Sequence, residues 1–580
     1  MKKNTISNLL YKLINSSDLN DEKLFTKVKN TYIPTTLYNI LKHIRIINLK
    51  LNQLGIKKHD KVAILSENRV EWVCADLACA ISGFETVPIY NSLSKEQIQY
   101  ILEDSGSKVV FVSTSLLMDR LLKIKDESSL NFEIISFNDF YGDEKPEGVL
   151  FYNEIIKEFE SSNNTNGGNE LINFIHNKLE DTEEEDIYSI IYTSGTTGNP
   201  KGVMLTNKNI CANLEGCNNI LEINKDDKFL SFLPYSHAYE RTAGYLLPFL
   251  NGAKIYYAQN IDTIGVQMPE VKPTFLITVP RLLDKMYSKV MKSSESLSGF
   301  KKKLFDSAID YAHRENCDKR SFKYFLYDKL VYKKIKLKTG GNLRFFASGG
   351  GALNKKINRF MNNIGLATLE GYGMTEASPV ISVNLPAKIK VGTVGPAMKG
   401  VEVKISDEGE ILIKGDIIMK GYYKDEKSTS EALRDGWLHS GDLGEIDEDG
   451  YIKITDRKKS LFKTSGGKYI APTAIEEMIL HIPYLDQAIV IGNERMFVTA
   501  LIVPEKDLEI NEDLYKRVEK DLKEVTKSLS TYEKIRRFKL MEKPFTIEDG
   551  EMTPTMKLKR KVIEEKYADI IDEMYKGLEG

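Results

Sequence analysis

The residues best suited to chemistry lie in one short stretch, YTSGTTGNPKGV at residues 192–203. Small residues let backbone N–H groups form a concave nest for anionic oxygen atoms, hydroxyls add donors, and a lysine adds a positive charge. We therefore predict a phosphate-binding loop. Its binding residues are Thr193, Ser194, Gly195, Thr196, Thr197, Gly198 and Lys201. The pattern differs from the loop G-x-x-x-x-G-K-[ST], because a glycine follows the lysine.

Extended chain must hold this loop in place. The apolar run 187–192 before it predicts a strand, and residues 202–205 after it also fit an extended conformation. A helix is indicated only from Asn207 onwards, so a helix dipole is not expected to supply the main attraction for phosphate.

A second stretch, GYGMTE at residues 371–376, offers complementary groups. Tyr372 presents a flat face for a purine, Thr375 a phosphate donor, and Glu376 a hard oxygen ligand for magnesium. An alternative interpretation is a tight turn with a surface glutamate.

The surrounding pattern repeats strand, glycine-rich turn and helix. Strands are predicted at 275–279, 343–347 and 366–369, with helices beginning at Pro280 and after SGGGAL at 348–353. Ligands in such α/β sheets bind at the carboxyl ends of the strands. Short strands with Gly/Asp turns follow over 395–451, and the polar stretch 161–185 is predicted to be a surface loop.

Bulk properties limit the class of protein. A chain of 580 residues exceeds one compact core, so two or more domains are expected. The net charge of −2 gives no general attraction to nucleic acid. Five cysteines without a C-x-x-C pair, no signal-peptide core and no long apolar run predict a reduced cytoplasmic protein, or one that rests on a membrane surface.

YTSGTTGNPKGV resembles the signature of the adenylate-forming (AMP-binding) superfamily, and further motifs of that family follow in order from about residue 75 to 560. TPTMKLKR at 553–560 is similar to the C-terminal lysine motif of the long-chain fatty acyl-CoA synthetase branch. This resemblance implies an α/β fold. A large N-terminal domain of doubly wound sheets with a small β-barrel-like unit would span 1–457, and a small mobile α+β domain would span 458–580.

The resemblance also assigns roles to individual residues. Catalytic roles fall on Lys557, His237, Arg457 and Glu376. Nucleotide or CoA contacts fall on Gly350, Gly371, Tyr372, Gly373, Thr375, Asp442, Arg457, Lys459 and Lys463 in addition to the phosphate loop, and magnesium on Glu376 and Thr193. Lys459 matches the pivot between the domains, and His237 matches the aromatic position beside the acyl carboxylate. ATP and CoA are implied as co-substrates and Mg²⁺ as cofactor.

The implied reaction is the ATP-dependent conversion of a long-chain fatty acid to acyl-AMP, with release of pyrophosphate, followed by transfer to CoA. Three alternatives stay open: an acyl-AMP ligase that loads a free carrier protein, a medium-chain or aryl acyl-CoA ligase, and a non-catalytic acyl- or nucleotide-binding protein. Kinase and Walker signatures are absent from the sequence, which disfavours kinase chemistry.

Residues 300–344 carry an unusual charge. They contain 13 Lys or Arg against 5 Asp or Glu in a helical pattern, within a chain whose total charge is −2. Such a segment is typical of peripheral contact with anionic lipid, although a solvated helical face has the same pattern. The expected partners are thus fatty acid, ATP and CoA, with the membrane surface and a homodimer as further candidates.

Overall fold

The computed structural model of the chain describes residues 3–139, 145–162, 167–193, 199–458, 461–480, 482, 484–527, 529–546, 549–552 and 558–576. A large α/β region ends with the strand Ile452–Arg457, and a smaller α+β region follows it. No helix in these ranges has both the length and the apolar character that crossing a membrane requires.

The strands are numbered in chain order. Those of the large region are β1 (Glu22–Val28), β2 (Thr31–Thr36), β3 (Lys61–Leu65), β4 (Glu85–Ile89), β5 (Val109–Val112), β6 (Glu133–Ser136), β7 (Val149–Phe151), β8 (Ile187–Thr193), β9 (Lys201–Thr206), β10 (Lys228–Ser231), β11 (Lys254–Tyr257), β12 (Phe275–Thr278), β13 (Phe345–Ser348), β14 (Thr368–Gly373), β15 (Val380–Val383), β16 (Val401–Ile405), β17 (Glu410–Gly415), β18 (Gly421–Tyr422), β19 (Leu433–Arg434), β20 (Trp437–Ile446) and β21 (Ile452–Arg457). Those of the small region are β22 (Phe462–Lys463), β23 (Tyr469–Ile470), β24 (Leu485–Ile491), β25 (Val498–Pro504) and β26 (Ile535–Leu540).

The α-helices are numbered in the same way. They are α1 (Ile6–Ser16), α2 (Leu37–Gln53), α3 (Val70–Ala80), α4 (Lys95–Ser105), α5 (Ser115–Glu127), α6 (Tyr152–Ser162), α7 (Gly168–Asn177), α8 (Asn207–Leu221), α9 (Leu247–Leu250), α10 (Ile264–Val271), α11 (Pro280–Lys292), α12 (Gly299–Ala312), α13 (Phe322–Tyr327), α14 (Lys333–Leu337), α15 (Lys355–Asn363), α16 (Glu426–Ala432), α17 (Pro472–Leu480), α18 (Glu512–Val525), α19 (Arg560–Lys566) and α20 (Ala568–Tyr575). Two π-helices, Glu240–Leu246 and Asp328–Tyr332, continue directly into α9 and α14.

Two eight-stranded sheets form the large region. The first has the order β18-β9-β8-β4-β3-β5-β6-β7, and the second has the order β15-β14-β13-β12-β10-β11-β1-β2. Their central pairs are parallel, while β8–β9, β9–β18, β14–β15 and β1–β2 are antiparallel. Central strands such as β5 and β12 are buried along their whole length, because helices pack on the sheets. The predicted α/β class with doubly wound sheets is confirmed.

Two smaller units complete the chain. Strands β16, β17, β19, β20 and β21 form the antiparallel unit expected over residues 395–451. In the C-terminal region, β24 pairs antiparallel and β26 pairs parallel with β25, and helices α17 to α20 accompany this sheet. This part therefore has the predicted α+β composition.

Local sequence explains most element boundaries. Pro280 begins α11 directly after the extended Val279, because its fixed φ suits the first turn and its missing N–H would have no partner there. Thr206 caps α8 by accepting a hydrogen bond from the Asn209 N–H, and Asn209 returns the contact. These boundaries agree with the predictions for both helices.

One prediction is wrong: residues 161–185 are not a continuous surface loop. They contain α7, whose residues Leu171 and Ile175 are each only 1% exposed. These side chains stand four positions apart on one helix face and pack into the core shared with α1 and α2. The many polar residues around them masked this short apolar stripe.

Candidate active site

The predicted phosphate loop lies at the end of an antiparallel pair. Thr193 closes β8, Lys201 opens β9, and the two are register partners. The Thr193 Oγ1 hydroxyl donates to the carbonyl oxygen of Lys201 at 3.5 Å. Ser194, Gly195, Thr196, Thr197 and Gly198 lie outside the described residues, so their predicted role stays a prediction. The strands nevertheless place both ends of the loop side by side.

The Lys201 ammonium group lies over a neighbouring ring. Its Nζ atom is 5.2 Å from the centroid of Tyr422, contacts the Ser428 hydroxyl, and is 3.7 Å from the Asp425 carboxylate. Asp425 caps α16, and hydrogen bonds from Ser428 hold the pKa of this carboxyl below its ordinary value. Lys201 is thus held at the surface in a defined position, with 41% of its side chain exposed.

Glu376 reaches the same tyrosine from the other motif. The Tyr422 hydroxyl donates to Glu376 Oε1 at 2.8 Å, and burial together with this carboxylate raises the pKa of Tyr422 well above its ordinary value. Tyr422 can do this because β18 pairs with β9, with Tyr422 opposite Val203. The lysine of one motif and the glutamate of the other therefore meet around one ring.

A second cluster centres on Asp442. Its Oδ2 accepts a hydrogen bond of 2.6 Å from the Tyr372 hydroxyl, and its Oδ1 accepts one of 3.0 Å from Arg457 Nε. Asp442 and Arg457 are register partners in β20 and β21. Burial, followed by the charge of Asp442, raises the pKa of Tyr372 well above its ordinary value, so the phenol stays a donor. These two donors hold the Asp442 carboxylate in one orientation.

The turn SGGGAL, residues 348–353, is a further part of the candidate site, and we call it the glycine turn. Gly350 has φ +79°, in the left-handed region that glycine adopts without strain. A Cβ atom at Gly349 would lie 2.9 Å from the Tyr239 ring, so the lack of a side chain there lets this ring pack against the turn. Tyr239 also donates to the carbonyl oxygen of Ala347 at 2.9 Å.

Glu370 holds the glycine turn in place through hydrogen bonds to Leu353 and to Asn358 of α15. Its Oε1 accepts from the Leu353 N–H at 2.9 Å and its Oε2 from the Asn358 amide at 3.4 Å. Burial raises the pKa of Glu370 to about 7. Glu370 directly precedes Gly371, so β14 holds both this supporting carboxylate and the first three residues of the GYGMTE motif.

His237 lies close to the glycine turn, because Tyr239, two residues later, contacts both. Its Nδ1 accepts from the N–H of Tyr239 at 3.2 Å, which leaves the proton of the neutral ring on Nε2. Tyr90 lies on another side, with 6.4 Å between the ring centroids. The structure thus brings His237 and the glycine turn to one region through Tyr239.

A buried ion pair, Asp76–Arg241, packs against β8, the strand that leads into the predicted phosphate loop. Arg241 Nη2 contacts Asp76 Oδ1, and its Nη1 donates to Ser189 of β8 at 2.5 Å. Tyr188 donates to Asp76 Oδ2 at 2.5 Å, and both members of the pair have almost no exposed surface. This network fixes β8 four residues before Thr193.

The donor set suits a magnesium ion that also binds phosphate. Mg²⁺ in nucleotide sites is usually held by one or two carboxylates, with phosphate oxygens and water completing its shell. The hydrogen bond from Tyr422 goes to Oε1 of Glu376, and among the described residues no side chain or backbone group donates to Oε2. Oε2 is therefore the candidate cation ligand, and Thr193 adds a hydroxyl at the end of β8. Among the described residues no group of three or more His, Cys, Asp and Glu side chains forms a self-sufficient metal site.

The structure does not bring every predicted residue together. Lys463 is exposed, with its ammonium group 5.7 Å from the Tyr469 ring and its carbonyl oxygen bonded to the Glu494 N–H, all within the C-terminal region. Lys459 and Lys557 lie outside the described residues. Gly371, Gly373 and Thr375 lie in β14 or the 3₁₀ turn that follows it, beside Tyr372 and Glu376.

Sequence reasoning missed several participants. These are Tyr422, Asp425 and Ser428 around Lys201, Glu370 beneath the glycine turn, and the Asp76–Arg241 pair. Arg241 lies only four residues after His237, which the sequence did identify. Tyr422 had no comparable local signal, because its contacts depend on the pairing of β18 with a distant strand.

Comparison with known families gives matches over almost the whole chain. Residues 38–423 match the family model described as AMP-binding enzyme, and residues 460–579 match that of the AMP-binding enzyme C-terminal domain.

Curated relatives match at similar levels. The long-chain-fatty-acid–CoA ligase FadD15 of Mycobacterium tuberculosis is 31% identical, with 94% of this chain and 93% of that protein covered. The peroxisomal long chain acyl-CoA synthetase 7 of Arabidopsis thaliana is 32% identical, with 90% and 78% covered. The long-chain-fatty-acid–CoA ligase 1 of Cavia porcellus is 31% identical, with 89% and 78% covered.

Solved structures share the fold at lower identity. The anthranilate CoA ligase AuaEII in complex with anthranoyl-AMP superposes with a TM-score of 0.76 at 19% identity, covering 99% of each chain. The adenylation domain of a carboxylate reductase from Mycobacterium chelonae gives 0.74 at 21% identity, covering 98% of this chain and 91% of that one.

Proposed function

This chain belongs to the family of AMP-binding enzymes, and we propose that it is a long-chain fatty acid–CoA ligase. It joins a fatty acid to AMP with release of pyrophosphate and then transfers the acyl group to CoA. The observation that carries this proposal is the pair of side-chain clusters around Tyr422 and Asp442. Lys201 and Glu376 meet around Tyr422, and Asp442 is held by Tyr372 and Arg457.

The first step needs no general base. A fatty carboxylate has a pKa of about 4 to 5 and is ionised at neutral pH. One of its oxygen atoms attacks the α-phosphorus of ATP, an O–P bond forms, and the bond from that phosphorus to the pyrophosphate oxygen breaks. The protein must therefore align two anions and offset their charge rather than move a proton.

The clusters divide this work between them. Lys201 and the hydroxyl-rich loop hold the β- and γ-phosphates, and for this Lys201 exchanges its contact with Asp425 for phosphate oxygens. Asp442 binds the ribose hydroxyls, with Arg457 beside it to reach the phosphate. Glu376 and Thr193 would hold Mg²⁺, which supplies positive charge to the phosphate oxygens. We propose Gly350 and Tyr372 as the adenine side and His237 as the group beside the acyl carboxylate.

In the second step the CoA thiol must take the place beside the acyl-adenylate that Lys557 occupies in the first step. The CoA thiol gives its proton to solvent and its sulfur attacks the acyl carbon, a C–S bond forms, and the C–O bond to AMP breaks so that AMP leaves with the bonding electrons. We propose that Lys557 bridges carboxylate and α-phosphate in the first step and then leaves with the C-terminal domain. The boundary at 457/458 is supported by the end of β21 and by the start of the C-terminal family match at residue 460. Lys459 is the proposed pivot, and Lys463 moves with that domain.

Location follows from the substrate. We propose that the enzyme works in the cytoplasm, where ATP and CoA are supplied, and that the basic segment 300–344 contacts a membrane surface, from which long-chain acids are drawn.

The test is pyrophosphate release with ATP, magnesium and a panel of fatty acids, each with and without CoA. Sustained turnover that requires CoA, with a preference for long chains, is expected. A single-turnover burst that CoA fails to extend would identify a carrier protein as acceptor. A preference for short or aromatic acids would contradict the substrate class, and no release with any acid would contradict the function itself.

A further inference from the structure

Exposed apolar side chains concentrate in one helix of the basic segment. We call residues 322–337 the insert helix; it comprises α13, the π-helix Asp328–Tyr332 and α14 without a break. Its exposed apolar residues are Phe322 (80%), Phe325 (63%), Leu326 (38%), Leu330 (38%) and Leu337 (57%). Among the described residues, the phenylalanines that rank as exposed are these two and Phe300, also in the segment. Such a grouping is uncommon on a surface that faces only water.

The core face of this helix is already occupied. Tyr327, Val331, Tyr332 and Ile335 are buried, and the Tyr332 hydroxyl donates to the carbonyl oxygen of Ala308 in α12 at 2.6 Å. The exposed residues recur at spacings of three and four on the other side, so they cannot be a displaced core face. They form a second apolar stripe, which we call the lipid face.

Lysines accompany the lipid face. Lys329 and Lys333 are exposed and lie at helical spacing between Phe325, Leu326, Leu330 and Leu337. Residues 322–338 contain six lysines and a single acid, Asp328, which pairs with Lys336 at 2.6 Å. A second copy of the chain placed against this face would bring like charges together, whereas an anionic bilayer attracts them.

We propose that the insert helix lies in the surface of a bilayer that contains anionic lipids, with Phe322, Phe325, Leu326 and Leu330 inserted among the acyl chains. Interfacial helices of this composition bury their apolar face about 5–10 Å into the boundary of headgroups and acyl chains, while lysine ammonium groups stay at the phosphates. The inference deepens the proposed function, because it names the partner of the basic segment and the side chains that make the contact.

The position of the helix in the fold sets the orientation of the docked enzyme. A side chain at Gly365 would lie 3.3 Å from Lys336 Nζ and 3.9 Å from the Tyr324 hydroxyl, and Gly365 precedes the amino end of β14. The candidate active site lies at the carboxyl ends of the strands, and Tyr372 lies next to the last residue of the same strand. The insert helix therefore touches the membrane on the side away from the nucleotide, which leaves the active site accessible to ATP and CoA.

Sedimentation of the full-length chain with phosphatidylcholine vesicles, with and without phosphatidylglycerol, tests the inference. The chain is expected to bind only the anionic vesicles. Phe322→Ser with Phe325→Ser, and separately Lys329→Glu with Lys333→Glu, are each expected to weaken binding by about tenfold or more. Leu116→Ser in α5 and Lys520→Glu in α18 are controls, because they make the same kinds of change at exposed side chains outside the insert helix.

Two further readouts separate docking from folding and from catalysis. Thermal unfolding and pyrophosphate release with a detergent-dispersed acid are expected to be unchanged in all four variants, since the altered side chains are exposed and lie away from the site. No binding of the unchanged chain to anionic vesicles, or equal binding by the phenylalanine variant, would overturn the inference. The inference would also be overturned if the unchanged chain formed a dimer and the same substitutions dissociated it. Vesicle binding by a chain that releases no pyrophosphate would contradict the proposed function but not the docking.

Discussion

The hydroxyl of Tyr422 donates a 2.8 Å hydrogen bond to Oε1 of Glu376. The same ring lies 5.2 Å from the Lys201 ammonium group, so one aromatic side chain separates the proposed magnesium ligand from the proposed phosphate lysine. A tyrosine here keeps both groups in fixed positions before substrate arrives. Such preorganisation lowers the cost of assembling charges around triphosphate.

Replacing Tyr422 by Phe removes that donor and keeps the ring. Hydrogen bonds to charged groups contribute about 1.5–3 kcal/mol, so adenylation should slow by about tenfold or more. ATP–pyrophosphate exchange at several magnesium concentrations measures the effect, and excess magnesium should restore part of the rate. The matched control is Tyr423→Phe, the neighbouring residue. Equal losses in both variants would show that Tyr422 acts only through packing.

Replacing Asp442 by Ala should raise the KM for ATP by about tenfold or more, because the ribose loses its carboxylate. It also leaves the buried Tyr372 hydroxyl without its acceptor, at a cost of about 1–3 kcal/mol of stability. Adding Tyr372→Phe should restore the melting temperature but not the affinity for ATP. Recovery of both properties together would mean that Asp442 serves the fold rather than the nucleotide.

Replacing Lys557 by Ala should reduce adenylation by about 10²-fold. The variant should still convert supplied acyl-adenylate and CoA to thioester, because the lysine has left the site by then. Rates of the two half-reactions, measured separately, check this. Lys559→Ala and Lys561→Ala are the neighbouring controls, and an equal loss of both half-reactions in the Lys557 variant would contradict the assignment.

Replacing Arg241 by Met should destabilise the chain by about 3–5 kcal/mol, since it leaves Asp76 charged and buried without its partner. The double variant with Asp76→Leu should recover a large part of this loss. Thermal unfolding of the two single variants and the double variant measures the coupling. If the loss of stability in the double variant equals the sum of the losses in the two single variants, the pair does not act as a unit.

Glu370 predicts a pH dependence of stability. Its pKa in the folded chain is about 7, above the ordinary value of 4.5, so between these values the folded state holds a proton that the unfolded state has lost. The stability of the folded state therefore falls as pH rises through this window, by about 3 kcal/mol in all. Glu370→Gln should melt higher than the unchanged chain near about pH 8 and show a smaller difference near about pH 5. An unchanged difference across this range would contradict the shift.

Much of the fold could be predicted where local patterns determine it. The apolar run before Thr193 gave β8, and Pro280 marked the start of α11, because both signals act within a few residues. Helix α7 was missed because only Leu171 and Ile175 mark its buried face amid polar neighbours. The β14 strand continues through Tyr372, although its glycines suggested a turn, since pairing with β15 overrides their low strand propensity.

The candidate site shows the same limit. Asp442 and Arg457 were each identified from their own motifs, but their mutual hydrogen bond depends on the register of β20 and β21. Glu370, Asp425 and Tyr422 belong to no motif. Asp425 meets Lys201 and Tyr422 meets Glu376 from segments far apart in the chain, and Glu370 meets the Leu353 N–H across the intervening helix α15. Such contacts are properties of the whole fold, and no spacing rule within one segment reports them.

The pairing of β18 with β9 has a consequence for synthesis on the ribosome. Val203 emerges long before its partner Tyr422, and at about 5–20 residues per second the interval is ten seconds or more. Until then β9 is the open edge of the other seven strands of that sheet, with unpaired backbone groups next to the phosphate loop. Nascent chains that stop before β18 should therefore bind chaperones that recognise extended segments, and release from them should coincide with the arrival of Tyr422.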